Sequence, residues 1–533
     1  MKVSQNIHEG VEDFSSKIGA KIWGHRFTSG QRGPEYVLEF LNVLLGTNYT
    51  FEAETYKRRK AIGFRKFIFE GDKEGSKQQI ARLEDEYKEK LYDVISDKEK
   101  IMTVRDFFKN LEVPLYDNKG KPADRSWYAK SLYPLHESLL FFEVRVKGSG
   151  KNKSISFERN FYARGGELYF LMIKYGTENN PELRNNITER LNEVLKRNKS
   201  VSEIASNIEG ILSEVEPESS NQYPLVKQQK EKEFPYLPIT DHPLFEEFSL
   251  ELSNLLSLNM DIYEMFQLLT SLVSFQLTRY MYDRARINED DKSLFFVDCL
   301  DGRSQEVLRL SSGTFKNNEG FVRERFEYEL KQNYIQRFHN KEYIESSLES
   351  WKTEIGQKEF LSLLGLSKLK GRKDIILKTL KSVNSYEEVH TKLFESVKEV
   401  VISQLQQHQL NILRILARDG GLGGYRSGTS YRYFFSDRFL QMLTCIHVPP
   451  ETPMEFSDFL ELLYKKFGFV IGQKQARDSG LYDKANLNIS YFQNNESALR
   501  EKLKNNGLLI EYSDATAMIK NPFKDVKTEG VKQ

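Results

Sequence analysis

The sequence predicts a mainly α-helical fold with small β elements, an α+β chain divided among several domains. Three observations lead there. Apolar residues recur at helical spacing through most of the chain, as in Tyr36, Val37, Phe40, Leu41 and Leu44, and again in Phe456, Phe459, Leu460, Leu463 and Phe467. Strand-like runs are few and short. At 533 residues the chain exceeds what one hydrophobic core encloses, and the stretch 216–238 breaks it with Pro217, Pro224, Pro235, Pro238 and the charge run Lys227 to Glu233.

These signals divide the chain into 1–215, a helical domain with a small β-sheet; 216–238, a linker; 239–435, a helical core domain; 436–525, a carboxy-terminal module; and 526–533, a tail. The formal net charge is +1, so any nucleic-acid site must be a local patch. Cys299 and Cys445 are the only cysteines, which excludes a disulfide framework or a cysteine zinc site and fits a reducing cytoplasm. Met1 to Ile18 is polar and no run is apolar for long enough to cross a bilayer, so a cytoplasmic protein with neither leader nor membrane span is expected.

In the first domain Gly33-Pro34 opens a helix that Gly46 ends. Tyr56-Lys57-Arg58-Arg59-Lys60 and Phe64-Arg65-Lys66-Phe67 interleave cations with rings, a composition suited to a phosphate backbone with stacked bases; Glu52, Glu54 and Glu70 offer the alternative of a solvated face. Residues 76–100 read as one charged surface helix carrying Ile80, Leu83, Tyr87 and Leu91. Ser138–Lys147 and Ser154–Phe161 form a hairpin. Glu143, Arg145 and Lys147 invite comparison with the acid-x-Lys strand of metal-dependent nucleases, but Arg145 stands where a second acid is needed. Gly165 and Gly166, before the apolar run Leu168–Ile173, suit close packing better than phosphate binding. Helices fill Pro181–Glu214.

The middle domain opens with a helix capped by Asp241, with His242 beside the cap. A second helix from Asp261, apolar nearly all round, is the centre of the domain. Leu294–Cys299 is a short buried strand. Asp298 and Asp301 at its end have the chemistry to hold a metal, and Arg303 and Arg309 to hold phosphate, but a plain Asp-Gly turn needs neither ligand and is the simpler reading. Helices continue to about Gln407. Arg418–Arg432, with five glycines and three arginines, is neither a Walker loop nor a dinucleotide fingerprint. Arg426 and Arg432 stand there beside Tyr425, Tyr431 and Tyr433 as candidate phosphate contacts, or the stretch is a flexible connector or hairpin between domains.

The carboxy-terminal module is the most legible part. Ser436 caps a helix stopped by Pro449-Pro450, a second helix is closed by Gly468, and a third starts at Ser490 with Gln493 as its capping-box partner. Leu508–Tyr512 and Ala515–Ile519 then read as a two-stranded hairpin. This order resembles a winged helix-turn-helix, whose third helix enters the major groove while the wing touches the backbone. The resemblance implies nucleic-acid contacts at Arg500, Lys502, Lys504 and Lys520, joined by Arg426, Arg432, Arg58 and Arg59. Ser436–Asp525 holds eleven basic and twelve acidic residues, a neutrality that equally suits a protein-docking module.

No catalytic residue, metal ligand or cofactor is expected: the eight histidines form no helical ligand pair, and the chain lacks a Gly-x-Ser-x-Gly elbow, a kinase set and an HExxH. The alternative is a metal-dependent nuclease with a site assembled from distant segments, around Glu143–Lys147 or Asp298–Arg309. The motifs Arg26-Phe27…Gln31…Tyr36-Val37-Leu38-Glu39-Phe40-Leu41, Ala163-Arg164-Gly165-Gly166-Glu167-Leu168 and Asn521-Pro522-Phe523 resemble those of large bacterial proteins encoded among anti-phage defence genes. That resemblance implies a non-catalytic DNA-binding or scaffold subunit partnered by duplex DNA and by a helicase, nuclease or methyltransferase from the same operon.

Overall fold

The computed structural model describes residues 14–25, 27, 31–57, 62–74, 79–80, 82–116, 122, 130–140, 143–147, 154–158, 164–213, 222–225, 235–287, 293–367, 372–407, 409–425, 430–485, 487–513 and 516–526. The fold is mostly helical, with strands of two to five residues. The elements that position the sites below are helices α1 (Gly33–Gly46), α2 (Gly165–Gly176), α3 (Pro243–Leu256) and α4 (Ile262–Ala285), strand β1 (Phe295–Phe296), helices α5 (Gln305–Arg337) and α6 (Gln409–Gly420), and strands β2 (Gly423–Gly424) and β3 (Arg432–Tyr433). The last part holds helix α7 (Asp437–His447), strand β4 (Met454–Glu455), helix α8 (Phe456–Phe467), strand β5 (Phe469–Val470), helix α9 (Ile489–Asn505) and strands β6 (Leu509–Glu511) and β7 (Ala517–Ile519).

Helix α4 is the axis of the molecule. Asp261 caps it by accepting from the Tyr263 and Glu264 amides. Burial from Ile262 to Tyr282 leaves almost no solvent face, and α1, α3, α5, α6 and α7 all pack on it. Its polar residues are spent on neighbours. Gln276 donates to Glu251 of α3 at 3.0 Å and accepts from the Tyr169 hydroxyl of α2 at 2.6 Å. Glu251, 1% exposed, also receives Arg279 and Lys466 of α8, at 3.3 and 2.8 Å. One buried carboxylate therefore ties three helices together.

The glycines before Leu168 act through packing. A Cβ on Gly165 would stand 1.9 Å from the Tyr36 ring, and one on Gly166 would stand 2.5 Å from the Phe40 nitrogen and Tyr36 oxygen. Only glycine lets α2 approach α1 this closely.

Several local expectations are corrected. Residues 76–100 do not form one helix: Ile80 lies in a two-residue strand, Gln79–Ile80, and helices run over Asp85–Val94 and Lys98–Lys109. The second starts afresh because Asp97 caps the Glu99 amide. His242, not Asp241, caps α3, its Nδ1 accepting from the Leu244 amide. Asn488, not Ser490, caps α9. The expected linker is partly packed: Gln222–Pro224 pairs antiparallel with Thr55–Lys57, and Leu225 and Leu237 are buried. A single cluster of buried apolar residues extends from Ile18 to Ile519, across all three expected domains.

Candidate nucleic-acid interface

The last ninety residues build a small three-stranded sheet among three helices. Ser436 Oγ accepts from the Phe439 amide to start α7, and Gly468 at φ +76° ends α8. β4 pairs antiparallel with β7, and β7 with β6, so the sheet order is β4-β7-β6. The inward face of α9 carries Phe492, Asn495, Leu499 and Leu503, all buried. Its outward face at the amino-terminal end shows Ser490, Gln493, Asn494 and Ser497.

Asn495 is the pin that holds α9. Its Oδ1 accepts from the Cys299 amide at 2.8 Å, and its Nδ2 donates to the Val297 and Ile471 carbonyls at 2.8 and 3.0 Å. Those carbonyls flank β1 and β5, which pair in parallel. Tyr433 of β3 joins the same seam through a parallel bridge to Val297. The strand expected over Leu294–Cys299 thus becomes the seam between the middle helices and the carboxy-terminal part.

The four predicted cationic contacts of this module fall into three groups. Arg500 and Lys504 converge on one residue of β6, Glu511, at 2.9 and 2.6 Å. Lys504 holds the Glu511 carboxyl below its ordinary range, and Glu511 raises the Lys504 ammonium in return. Lys502 turns inward to the Phe435 carbonyl at 2.6 Å, with Asp301 at 3.7 Å and Asp437 at 3.9 Å. Lys520, just past β7, is exposed and has no side-chain partner among the described residues.

Arg432 is a correction. Its side chain is 3% exposed and binds Asp298, itself 0% exposed, at 2.7 Å. A guanidinium this deep contacts no phosphate. The same pair removes Asp298 as a metal ligand: Oδ2 takes Arg432 and Oδ1 takes the Leu300 amide, leaving an Asp-Gly turn with Asp301 and Gly302 at positive φ. Burial pushes the Asp298 carboxyl up, with Arg432 pulling the other way. The Gly-rich stretch is a hairpin, β2 against β3.

Arg58, Arg59 and Arg426 lie outside the described residues, as do the side chains of Glu143, Arg145 and Lys147 on their strand. Tyr56, Phe64 and Phe67 are core residues, so these rings do not stack on bases. Among the described residues no three His, Cys, Asp or Glu side chains gather at metal-binding distance.

Two motifs far apart in sequence meet at the α1–α2 contact. Gln31 Oε1 accepts from the Gly165 amide at 3.0 Å, while Glu39 accepts from the Gly166 amide and from Gln31 Nε2, each at 2.8 Å. Arg164 holds Glu167 in a two-pronged pair at 2.9 and 2.7 Å, and Tyr56 donates to the same carboxylate. Asp419, at the end of α6, caps α1 by accepting from the Gly33 amide at 2.9 Å. No protein-family model, curated protein or solved structure matches this chain.

Reading charge alone passes over the outward polar face of α9. Ser490, Gln493, Asn494 and Ser497 follow helical spacing and interleave with the buried Phe492, Asn495 and Leu499. That complementary spacing is the signal that would have found them. Asn and Gln side chains have the paired donor and acceptor that read adenine in a major groove.

Proposed function

We propose that the chain is a non-catalytic scaffold whose carboxy-terminal part is a winged helix that docks on duplex DNA. The observation that carries this is topological. The order helix α7, strand β4, helix α8, helix α9, strand β6, strand β7, with sheet order β4-β7-β6, is that of a winged helix, interrupted between α8 and α9 by β5 and two short helices. The outward polar face of α9 supports groove readout, and Lys520 at the wing supports a backbone contact. In this reading the protein works beside a helicase, nuclease or methyltransferase of a bacterial anti-phage defence or DNA-processing system.

A second reading rests on its own observation. Glu511 occupies both Arg500 and Lys504, and the wing exposes Ile510 and Tyr512 at 39% and 53%. A neutralised wing with apolar side chains outward suits a protein partner.

Titration of labelled duplex DNA with the full-length protein at several salt concentrations, with and without Mg²⁺, separates the readings. Salt-sensitive binding without cleavage, weakened by Gln493→Ala/Asn494→Ala, supports DNA docking and counts the phosphates engaged. No binding at low salt removes DNA and leaves protein docking. Mg²⁺-dependent cleavage overturns the scaffold reading in favour of a nuclease.

A further inference from the structure

One face of α5 carries Arg309, Gly313, Lys316, Gly320 and Arg323 in a row, because steps of four and three residues return to the same side of a helix. The three cations are exposed and have no ion-pair or hydrogen-bond partner among the described residues. Other exposed helix lysines hold an acid one turn away, as Lys341, Lys358, Lys392 and Lys465 do. Along this row the acids are missing or taken. Between Glu306 and Glu324 the only acid is Glu319, which is buried and held by Arg414 of α6 at 2.6 and 2.9 Å. Glu306 accepts from the Ser304 hydroxyl. Acids return at Glu324 and Glu327, where the row ends, and neither pairs with Arg323. The row therefore keeps positive charge that no neighbouring carboxylate pairs.

Gly313 and Gly320 stand between these cations. Neither lies at positive φ, and a Cβ on either would meet nothing within 4 Å. Backbone and packing thus give no reason for glycine there, although glycine weakens a helix interior. What the two glycines supply is a low floor between three long side chains set about 10 Å apart along the axis. A ligand's backbone can come down onto such a floor. No aromatic ring stands in the row, so nothing there stacks on the bases of a single strand. An acidic protein would need carboxylates at matching intervals. A duplex carries a phosphate for about every 1.7 Å of its axis and meets cations in any register. Helix α5 also adjoins α9, where Val307 and Phe492 share one buried cluster.

We propose that this row of α5 is a phosphate-backbone contact for duplex DNA, additional to α9. The choice of polymer rests on the winged-helix reading above; the contact itself rests on the row. Titration of a labelled duplex with the full-length protein across salt concentrations tests it. Arg309→Gln/Lys316→Gln/Arg323→Gln is expected to weaken binding about tenfold or more at low salt. It should also flatten the fall of log affinity with log salt by about 0.9 for each cation lost, about 2.7 in all. Gly313→Gln/Gly320→Gln fills the floor without changing charge, and is expected to weaken binding about threefold by holding the phosphates farther from the cations. Glutamine is the better helix former, so that loss is not a loss of folding. Parental affinity in the glycine variant overturns the close approach over Gly313 and Gly320. If the triple variant keeps the parent's affinity and slope, the row is overturned and the winged-helix reading stands. If the triple variant weakens while Gln493→Ala/Asn494→Ala binds like the parent, the row is upheld and the winged-helix reading fails. A parent protein that ignores duplex at low salt overturns both.

Discussion

Arg432 and Arg500 are the same residue type, each bound to a carboxylate at nearly the same distance, 2.7 and 2.9 Å. Both stand out in the sequence as phosphate contacts. Their surroundings make them opposite things. Arg432 and Asp298 are 3% and 0% exposed, whereas Arg500 and Glu511 are 34% and 30% exposed. In the buried pair each charge depends on the other, because neither has water to fall back on. At the exposed pair, water and salt replace a lost partner, so the pair is a modest restraint that a stronger ligand can take over. A cation's role follows from its solvent access, which the distance to its partner does not report.

Four measurements sharpen that contrast. The largest effect is expected at the buried pair: Arg432→Leu strands Asp298 and should lower unfolding stability by about 3–5 kcal/mol in urea denaturation. Arg500→Leu should leave the midpoint nearly unchanged. If the two variants unfold alike, the contrast is broken.

Next comes the pin. Asn495→Ala leaves the Cys299 amide and the Val297 and Ile471 carbonyls without their partner, and a loss of about 3 kcal/mol is expected. Amide exchange in β1 and β5 should rise more than in α3.

The third is a pH effect at a half-buried histidine. His447 lies against Phe467, and its Nε2 has no partner among the described residues. Burial lowers its pKa to about 3; Lys466 and Arg279 push the same way, and Glu251 opposes them. The unfolded chain takes up the proton near pH 6.5 and the folded one does not. The stabilisation is therefore complete above 6.5 and is lost as pH falls from there toward 3. Between pH 7 and 5 this amounts to about 2 kcal/mol. His447→Gln should flatten that part of the stability–pH curve; an unchanged slope would show that His447 titrates normally.

The smallest stability change and the most informative binding change belong to Glu511→Gln. It releases Arg500 and Lys504, so the unfolding midpoint should stay put while duplex affinity rises about threefold to tenfold at low salt. Unchanged affinity would mean the wing does not face DNA.

Much of the helical framework was legible because burial repeats at helical spacing. The all-round apolar α4, the glycine-mediated approach of α2 and the Ser436 cap all follow from local sequence. The β1–β5 seam did not, because two-residue strands from distant segments carry no periodicity of their own. Arg432 was misread for the same reason: the burial that decides its role comes from Asp298, far away in the chain. The α9 cap moved from Ser490 to Asn488 because both residue types cap well and local sequence does not choose between them.

The pin at Asn495 reaches back 198 residues to Val297. On a ribosome, β1 must emerge and wait, unpaired, until α5, α6, α7 and α8 have been made and β5 follows them. Closing so long a loop is slow, and until it closes Phe295 and Phe296 have no strand beside them. The arrival of β5, and not the docking of a finished module, is then the event that gives β1 its partner. A fragment cut after Tyr433 should accordingly be the one that chaperones hold longest.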